Sequence, residues 1–178
     1  MHFSNPEKNI NQLGVVEGSV VVDFGAGSGH YTIAAAKKAG TDGTVYAIDI
    51  QNDLLTRLKD HARTEGVPGI VKTYRGDLEH IGGSQLRDSM ADRVIVANIL
   101  FQVDDKETLL RECFRVLKPK GKALIVDWQD SFGGLGPAGD HVVSESVARD
   151  LATKVGFEVL ENISAGAHHY GFVVRKPA

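Results

Sequence analysis

The stretch VVVDFGAGSGHYT, Val20 to Thr32, sets three glycines at alternate positions behind an aspartate that ends an apolar run. The valines read as a strand covered on both faces. Gly25, Gly27 and Gly29, with Ala26 between the first two, read as a turn that lets the backbone approach a ligand, because glycine enters positive φ freely and puts no side chain in the way. A turn built for a dinucleotide would follow G-x-G-x-x-G, and its third glycine would fall on His30. Asp23, two residues before the first glycine, would repel a pyrophosphate and attract an ammonium or a sulfonium. The turn therefore points to a cationic ligand and away from NAD.

Working outward, similar short apolar runs recur at 44–49 (TVYAID), 69–77 (GIVKTYRGD), 92–98 (DRVIVAN) and 122–128 (KALIVDW). Helical patterns lie between them. NDLLTRLKDHARTEG sets Leu54, Leu55, Leu58 and Ala62 on one face; SESVARDLATKVG opens on a Ser144 cap, is expected to bury Val147, Leu151 and Val155, and stops at Gly156. RVLKPKGK, the densest basic run, reads as a helix end and turn. FEVLENI and HHYGFVVRK are joined by too short a connection for anything but an antiparallel hairpin. The expected architecture is α/β: a Rossmann-like seven-stranded sheet, mostly parallel with one antiparallel C-terminal strand, helices on both faces, and residues 1–178 forming one domain.

Composition narrows the function. The formal net charge is −3 and the basic residues are dispersed, so a nucleic-acid partner is not expected. No run is long and apolar enough for a membrane span, the N-terminus has no apolar core of signal-peptide length, and the single cysteine, Cys113, shares a helical stripe with Leu109, Leu110, Phe114 and Leu117. A buried structural thiol and a cytoplasmic location are expected. His168 and His169 are adjacent on a strand and face opposite sides, so no metal site is expected.

Strand direction places the site. Ligands of an open α/β sheet bind at the carboxyl ends of the parallel strands, which brings Asp23, Asp49, Asp77, Asn98 and Asp127 to one edge. The last hairpin turns at the same edge, with His168, His169 and Tyr170. Asp49 ends the second strand with two acceptor oxygens, and Asp77 follows the third, with Ile50 and Leu78 as apolar neighbours; in the family whose motifs these resemble, the first would take the ribose hydroxyls and the second the adenine amine. Asn98 would lie under the reacting centre. Asp127, Trp128 and Tyr170, with the glycine-rich segment 131–141 and Phe3 of the N-terminal segment, are expected to enclose a second, small substrate. His141 either faces the cleft with His169, the two serving as candidate catalytic residues, or caps the helix near Ser144.

These motifs together resemble the class I S-adenosylmethionine-dependent methyltransferases. VVDFGAGSGHYT resembles that family's first motif, VYAIDI its acidic second strand, RGDL its third-strand acid and RVLKPKGKALIVDW its helix, turn and fifth strand, in the family's order. Within that family the chain is similar to the branch related to ubiquinone and menaquinone biosynthesis methyltransferases. It departs at LFQV, Leu100 to Val103, where relatives carry an LHEV-like run. The resemblance implies S-adenosylmethionine as cofactor, S-adenosylhomocysteine as product and a small-molecule methyl acceptor. The alternatives are a catalytically silent module that only binds the cofactor and, against His30 and the final antiparallel strand, a nicotinamide-dependent oxidoreductase.

Overall fold

The computed structural model describes residues 4–134 and 136–178, so Phe3 lies outside the described residues. The sheet has seven strands: β1 (Val20–Phe24), β2 (Thr44–Asp49), β3 (Val71–Arg75), β4 (Ala91–Ala97), β5 (Leu117–Trp128), β6 (Glu158–Asn162) and β7 (His169–Arg175). Their order across the sheet is β3-β2-β1-β4-β5-β7-β6. The pairs from β3 to β5 are parallel, and β7 runs antiparallel to both of its neighbours. The order reverses at β1 and β4, which opens a crevice at their carboxyl ends.

The helices are α1 (Pro6–Leu13), α2 (His30–Ala39), α3 (Asn52–Thr64), α4 (Lys106–Val116) and α5 (Glu145–Val155). Side chains alternate across the central strands into two cores. Ile10, Leu13, Tyr31 and Ala35 pack with Ile95, Leu124 and Val173 on one face. Leu109, Cys113, Ala148 and Ala152 pack with Val94, Ile125 and Phe172 on the other. Cys113 is fully enclosed, and burial raises its thiol far above the ordinary range, which makes it inert. Among the described residues no helix is long and apolar enough to cross a membrane, and no group of His, Cys, Asp or Glu is arranged to hold a metal ion.

Three local expectations need correction. Val147 is 47% exposed, because α5 seats its small residues, Ala148 and Ala152, on the core and leaves Leu151 and Val155 half-buried at the flanks. Leu117, expected on the helical stripe of Cys113, instead begins β5. The basic turn after α4 is therefore an outward excursion inside β5: the strand advances from Leu117 to Lys122 while β4 advances only from Ala91 to Arg93, with Lys120 at φ 65°.

The N-terminal helix α1 was not anticipated, although its signals are ordinary. Asn5 accepts from the Lys8 amide, Pro6 opens the first turn, and Gly14 closes the helix at φ 75°. Its docking beside α2 is fixed by the Asn9 amide, which donates to the Tyr31 hydroxyl at 2.8 Å. Ser4, just before α1, bridges Gly166 in the β6–β7 connection. This segment thus joins the glycine turn to the far end of the sheet.

Candidate active site

The turn after β1 is set by its glycines. Gly25, Gly27 and Gly29 all have positive φ, at 71°, 53° and 89°. A Cβ on Gly25 would lie 2.3 Å from Ile99 Cδ1, and one on Gly29 would lie 2.7 Å from Leu58 Cγ, so these two glycines permit packing of the β4 loop and of α3. A Cβ on Gly27 would meet nothing closer than the Gly25 carbonyl at 4.0 Å. Gly27 faces open space.

Two cavities meet at this turn. The first, of about 360 Å3, is lined by Gly25, Gly27, Asp49, Ile50, Leu54, Asp77, Leu78, Ile99, Gln102 and Val103. Asp49 is 7% exposed; its Oδ1 accepts from the Gln51 amide at 2.8 Å and its Oδ2 from the Gly27 amide at 2.9 Å. A carboxylate has about four acceptor sites, so capacity remains for two further donors. Asp77 caps its own turn by accepting from the Glu79 amide at 3.0 Å and pairs with His80 at 3.0 Å, yet it also lines the cavity, with Leu78 buried and Ile50 exposed as apolar walls. This is the lining that a nucleoside requires: an acid for the sugar, apolar walls for the base, and an acceptor at its rim.

The second cavity, of about 460 Å3, is lined by Ser4, Pro6, Asp23, Gly25, Ala26, Gly27, His30, Tyr31, Ala97, Asn98 and Gln102. Asp23 is 2% exposed, and burial pushes its carboxyl up to about 7 against the lowering effect of the Thr32 hydroxyl, which donates to it at 2.6 Å. Asn98 stands at φ 56° just past β4, and its Oδ1 is enclosed without a hydrogen-bond partner. A buried carboxylate short of charge and a bare amide oxygen in one cavity call for a cationic donor. The ammonium of a methionine group meets that need, so the residues present fit S-adenosylmethionine across the two cavities.

A third cavity, of about 630 Å3, lies beyond Gln102 and is lined by Phe101, Gln102, Val103, Asp104, Lys106, Asp140, His141, Val142, Val143, Ser144 and Val147. His141 is exposed there, and the α5 cap is Ser144, whose hydroxyl accepts from the Val147 amide. Gln102 lines all three cavities and donates to the Asn98 carbonyl at 2.6 Å. Sequence reasoning marked Gln102 only as a departure from a motif and missed its position; the signal was its place four residues after a strand-end Asn.

The residues expected around the acceptor separate. Asp127 is fully enclosed, its Oδ2 accepting from the Leu100 amide and its Oδ1 from the Trp128 amide; burial pushes it up to about 6. It holds the loop that carries Phe101 and Gln102. Tyr170, its cross-strand partner, packs in the α4–α5 core with its hydroxyl enclosed and unpartnered. His169 pairs with Trp128, ring centroids 4.3 Å apart. Alternation along β7 puts His169 on the face of Val173 and α1, whereas His141 borders Val143 on the opposite face, so the structure does not bring these two histidines together.

Comparison with known proteins gives a consistent result. Residues 22–125 match the family model described as a methyltransferase domain. The chain is 33% identical over 119 residues to the ubiquinone/menaquinone biosynthesis C-methyltransferase UbiE of Idiomarina loihiensis, covering 67% of this chain and 46% of that protein. It is 29% identical to the corresponding Pasteurella multocida protein, covering 92% of this chain and 72% of the relative. Against most of these curated relatives the match spans about half of their length. A solved S-adenosylmethionine-dependent methyltransferase from Aquifex aeolicus superposes with a TM-score of 0.87 at 26% identity, covering 97% of this chain and 90% of that one. The cyclase SpnF shares the fold alone, at 16% identity and a TM-score of 0.80, covering 97% and 81%.

Proposed function

Because the chain belongs to the class I S-adenosylmethionine-dependent methyltransferase family, with S-adenosylmethionine as its cofactor, we propose that its residues 1–178 act as one domain that methylates a small-molecule acceptor in the cytoplasm. The observation that carries the reading is the pairing of two cavities across Gly25 and Gly27, one with a ribose-type acid at Asp49 and one with a cation-seeking acid at Asp23. The cofactor supplies an activated methyl group on a sulfonium.

The chain's own residues supply placement. Asp49 would hold the ribose, with Ile50, Leu78 and Asp77 around the adenine. Asp23 and Asn98 would hold the methionine ammonium, and Ala26 and Gly27 would bring the backbone alongside. Alignment of donor and acceptor in line is the larger part of such a transfer. Trp128, with Gly136 over its indole, and Ser4 before α1 would border the acceptor side. A small acceptor suits this arrangement, since among the described residues no inserted domain follows any of the strands. The relatives' printed names favour carbon methylation in ubiquinone or menaquinone biosynthesis. The net charge of −3 disfavours a nucleic-acid substrate, and the single buried Cys113 suits a reducing compartment.

Titration calorimetry with S-adenosylmethionine, S-adenosylhomocysteine and NAD tests the cofactor: the first two are expected to bind and NAD is not. Transfer of a labelled methyl group to a fractionated small-metabolite pool tests turnover. Tight binding with no labelled product from any fraction would leave a cofactor-binding module.

A further inference from the structure

Three cavities converge on one side chain. The cavity of Asp49 and the cavity of Asp23 share Gly25, Gly27 and Gln102, and the third cavity shares Gln102 and Val103 with the first and Gln102 with the second. Gln102 is thus the residue common to all three. The sulfur of S-adenosylmethionine joins the ribose to the methionine chain, so on the proposed reading it crosses between the first two cavities beside Gln102. The third cavity opens from that same point. Gln102 is held there by its own hydrogen bonds: its backbone amide donates to the Ile99 carbonyl at 2.9 Å and its Nε2 to the Asn98 carbonyl at 2.6 Å. A carbonyl only accepts, so the nitrogen end of the side-chain amide is the anchored end and Oε1 is left to meet a ligand. Neither end takes up or gives away a proton in the ordinary pH range.

The lining of the third cavity defines its occupant. Phe101 and Val103 pack against the α4–α5 core, Val143 is buried in it, and Val147 stands beside them on α5, which gives the cavity an apolar wall. Asp104, Asp140 and His141 are exposed and form its mouth. Lys106, the one ammonium in the lining, donates to the Val103 carbonyl at 2.7 Å and is spent on the loop. An apolar wall, a neutral amide at the junction and an ammonium already engaged favour an uncharged, largely apolar occupant, because a carboxylate or phosphate would lose its water there without gaining a partner.

We propose that the third cavity seats the methyl acceptor, an uncharged and largely apolar molecule, and that the neutral amide of Gln102 faces both this acceptor and the sulfonium. The proposal rests on the methyltransferase reading and deepens it by naming the acceptor's seat and class. An electron pair of the acceptor forms the bond to the methyl carbon, sulfur keeps the pair of the broken C–S bond, and the proton displaced from the methylated atom leaves to water through the mouth of the cavity. None of the side chains shared between the cavities ionises, so at this junction the chain supplies placement rather than proton transfer.

The test uses the full chain and an S-adenosylmethionine analogue that carries a benzyl group in place of the transferred methyl, so that its ring follows the methyl's path. By titration calorimetry this analogue should bind within about tenfold of S-adenosylmethionine, and a carboxylate added to its ring should weaken it by about a further tenfold. Val147→Trp fills the third cavity from an exposed position on α5, so it should weaken the benzyl analogue by about tenfold or more while S-adenosylhomocysteine stays within about twofold. Gln102→Glu sets a charge beside the sulfur and should raise the ratio of S-adenosylmethionine to S-adenosylhomocysteine affinity about tenfold, since the first alone carries the sulfonium; a loss of packing would not move that ratio. A benzyl analogue indifferent to Val147→Trp, a carboxylate-bearing analogue that binds as tightly as the plain one, or an unmoved ratio in Gln102→Glu overturns the inference and, with S-adenosylhomocysteine still bound, leaves the cofactor reading standing. Failure of S-adenosylhomocysteine to bind the parent protein overturns both.

Discussion

Asp49 Oδ2 accepts a hydrogen bond from the Gly27 amide at 2.9 Å, so the acid that closes β2 also ties down the turn that follows β1. One carboxylate therefore shapes the cavity floor and, on the proposed reading, would also hold the ribose. Asp49→Ala should weaken S-adenosylmethionine binding by about 3 kcal/mol, the upper end for loss of a charge-assisted acceptor, because the turn is released as well. Asp49→Asn keeps one acceptor oxygen and should lose less. Equal affinity in all three proteins by titration calorimetry would place the ribose elsewhere.

The two outer roles of the glycine turn can be separated. Gly29→Ala puts a Cβ 2.7 Å from Leu58 Cγ at φ 89°, so it strains both the backbone and the contact with α3. It should destabilise the fold by about 2–4 kcal/mol. Gly27→Val meets open space, so the fold should survive at a cost of about 1–2 kcal/mol for its positive φ, while the branched side chain fills the cavity entrance and abolishes cofactor binding. Thermal melts and calorimetry on the pair check the contrast; a Gly27→Val protein that binds normally would sink it.

What the sequence disclosed was local in origin. The glycine turn, the strand-end acids Asp23, Asp49 and Asp77, and the strand runs are each written within a few consecutive residues, so the sheet and the two cavities that meet at the glycine turn could be placed from them. The acceptor side depends on contacts between distant segments. Asp127 looked like an exposed strand end but is spent on the amides of Leu100 and Trp128, because the β4 loop folds over it. Val147 followed the helical period, but the rotation of α5 was chosen by the small side chains of Ala148 and Ala152. Gln102 gained its position at three cavities only through the path of the loop after Asn98.

Glu112 holds the loop between β3 and β4. It is fully buried, accepts from the amides of Gly82 and Ser84 and from the Ser84 hydroxyl, and is paired with Arg115. Burial alone would raise its carboxyl, but these donors outweigh it and hold it at about 2. Glu112→Ala leaves the two amides and the Ser84 hydroxyl without their acceptor and Arg115 with Asp88 as its remaining carboxylate, and should cost about 2–4 kcal/mol. Denaturant unfolding with a loss under about 1 kcal/mol would show that the network contributes little.

Asp23 should make cofactor binding depend on pH. Its carboxyl titrates at about 7 in the folded protein against 3.8 as the ordinary value. A raised carboxyl binds more protons folded than unfolded between those limits, so its contribution to stability is complete below about 4 and is lost as pH rises to about 7. Asp127, raised to about 6, acts in the same sense. The ligand-free protein should therefore melt at a higher temperature near pH 5 than near pH 7.5, and Asp23→Asn should flatten that slope. An ammonium prefers the ionised carboxylate, so S-adenosylmethionine binding must expel the proton below pH 7, and its affinity should fall by up to tenfold per pH unit there. Thr32→Val removes the hydrogen bond that lowers Asp23 and should move the midpoint of this loss to higher pH. Affinity that stays flat from pH 5.5 to 8 in the parent protein would show that Asp23 does not meet the ammonium.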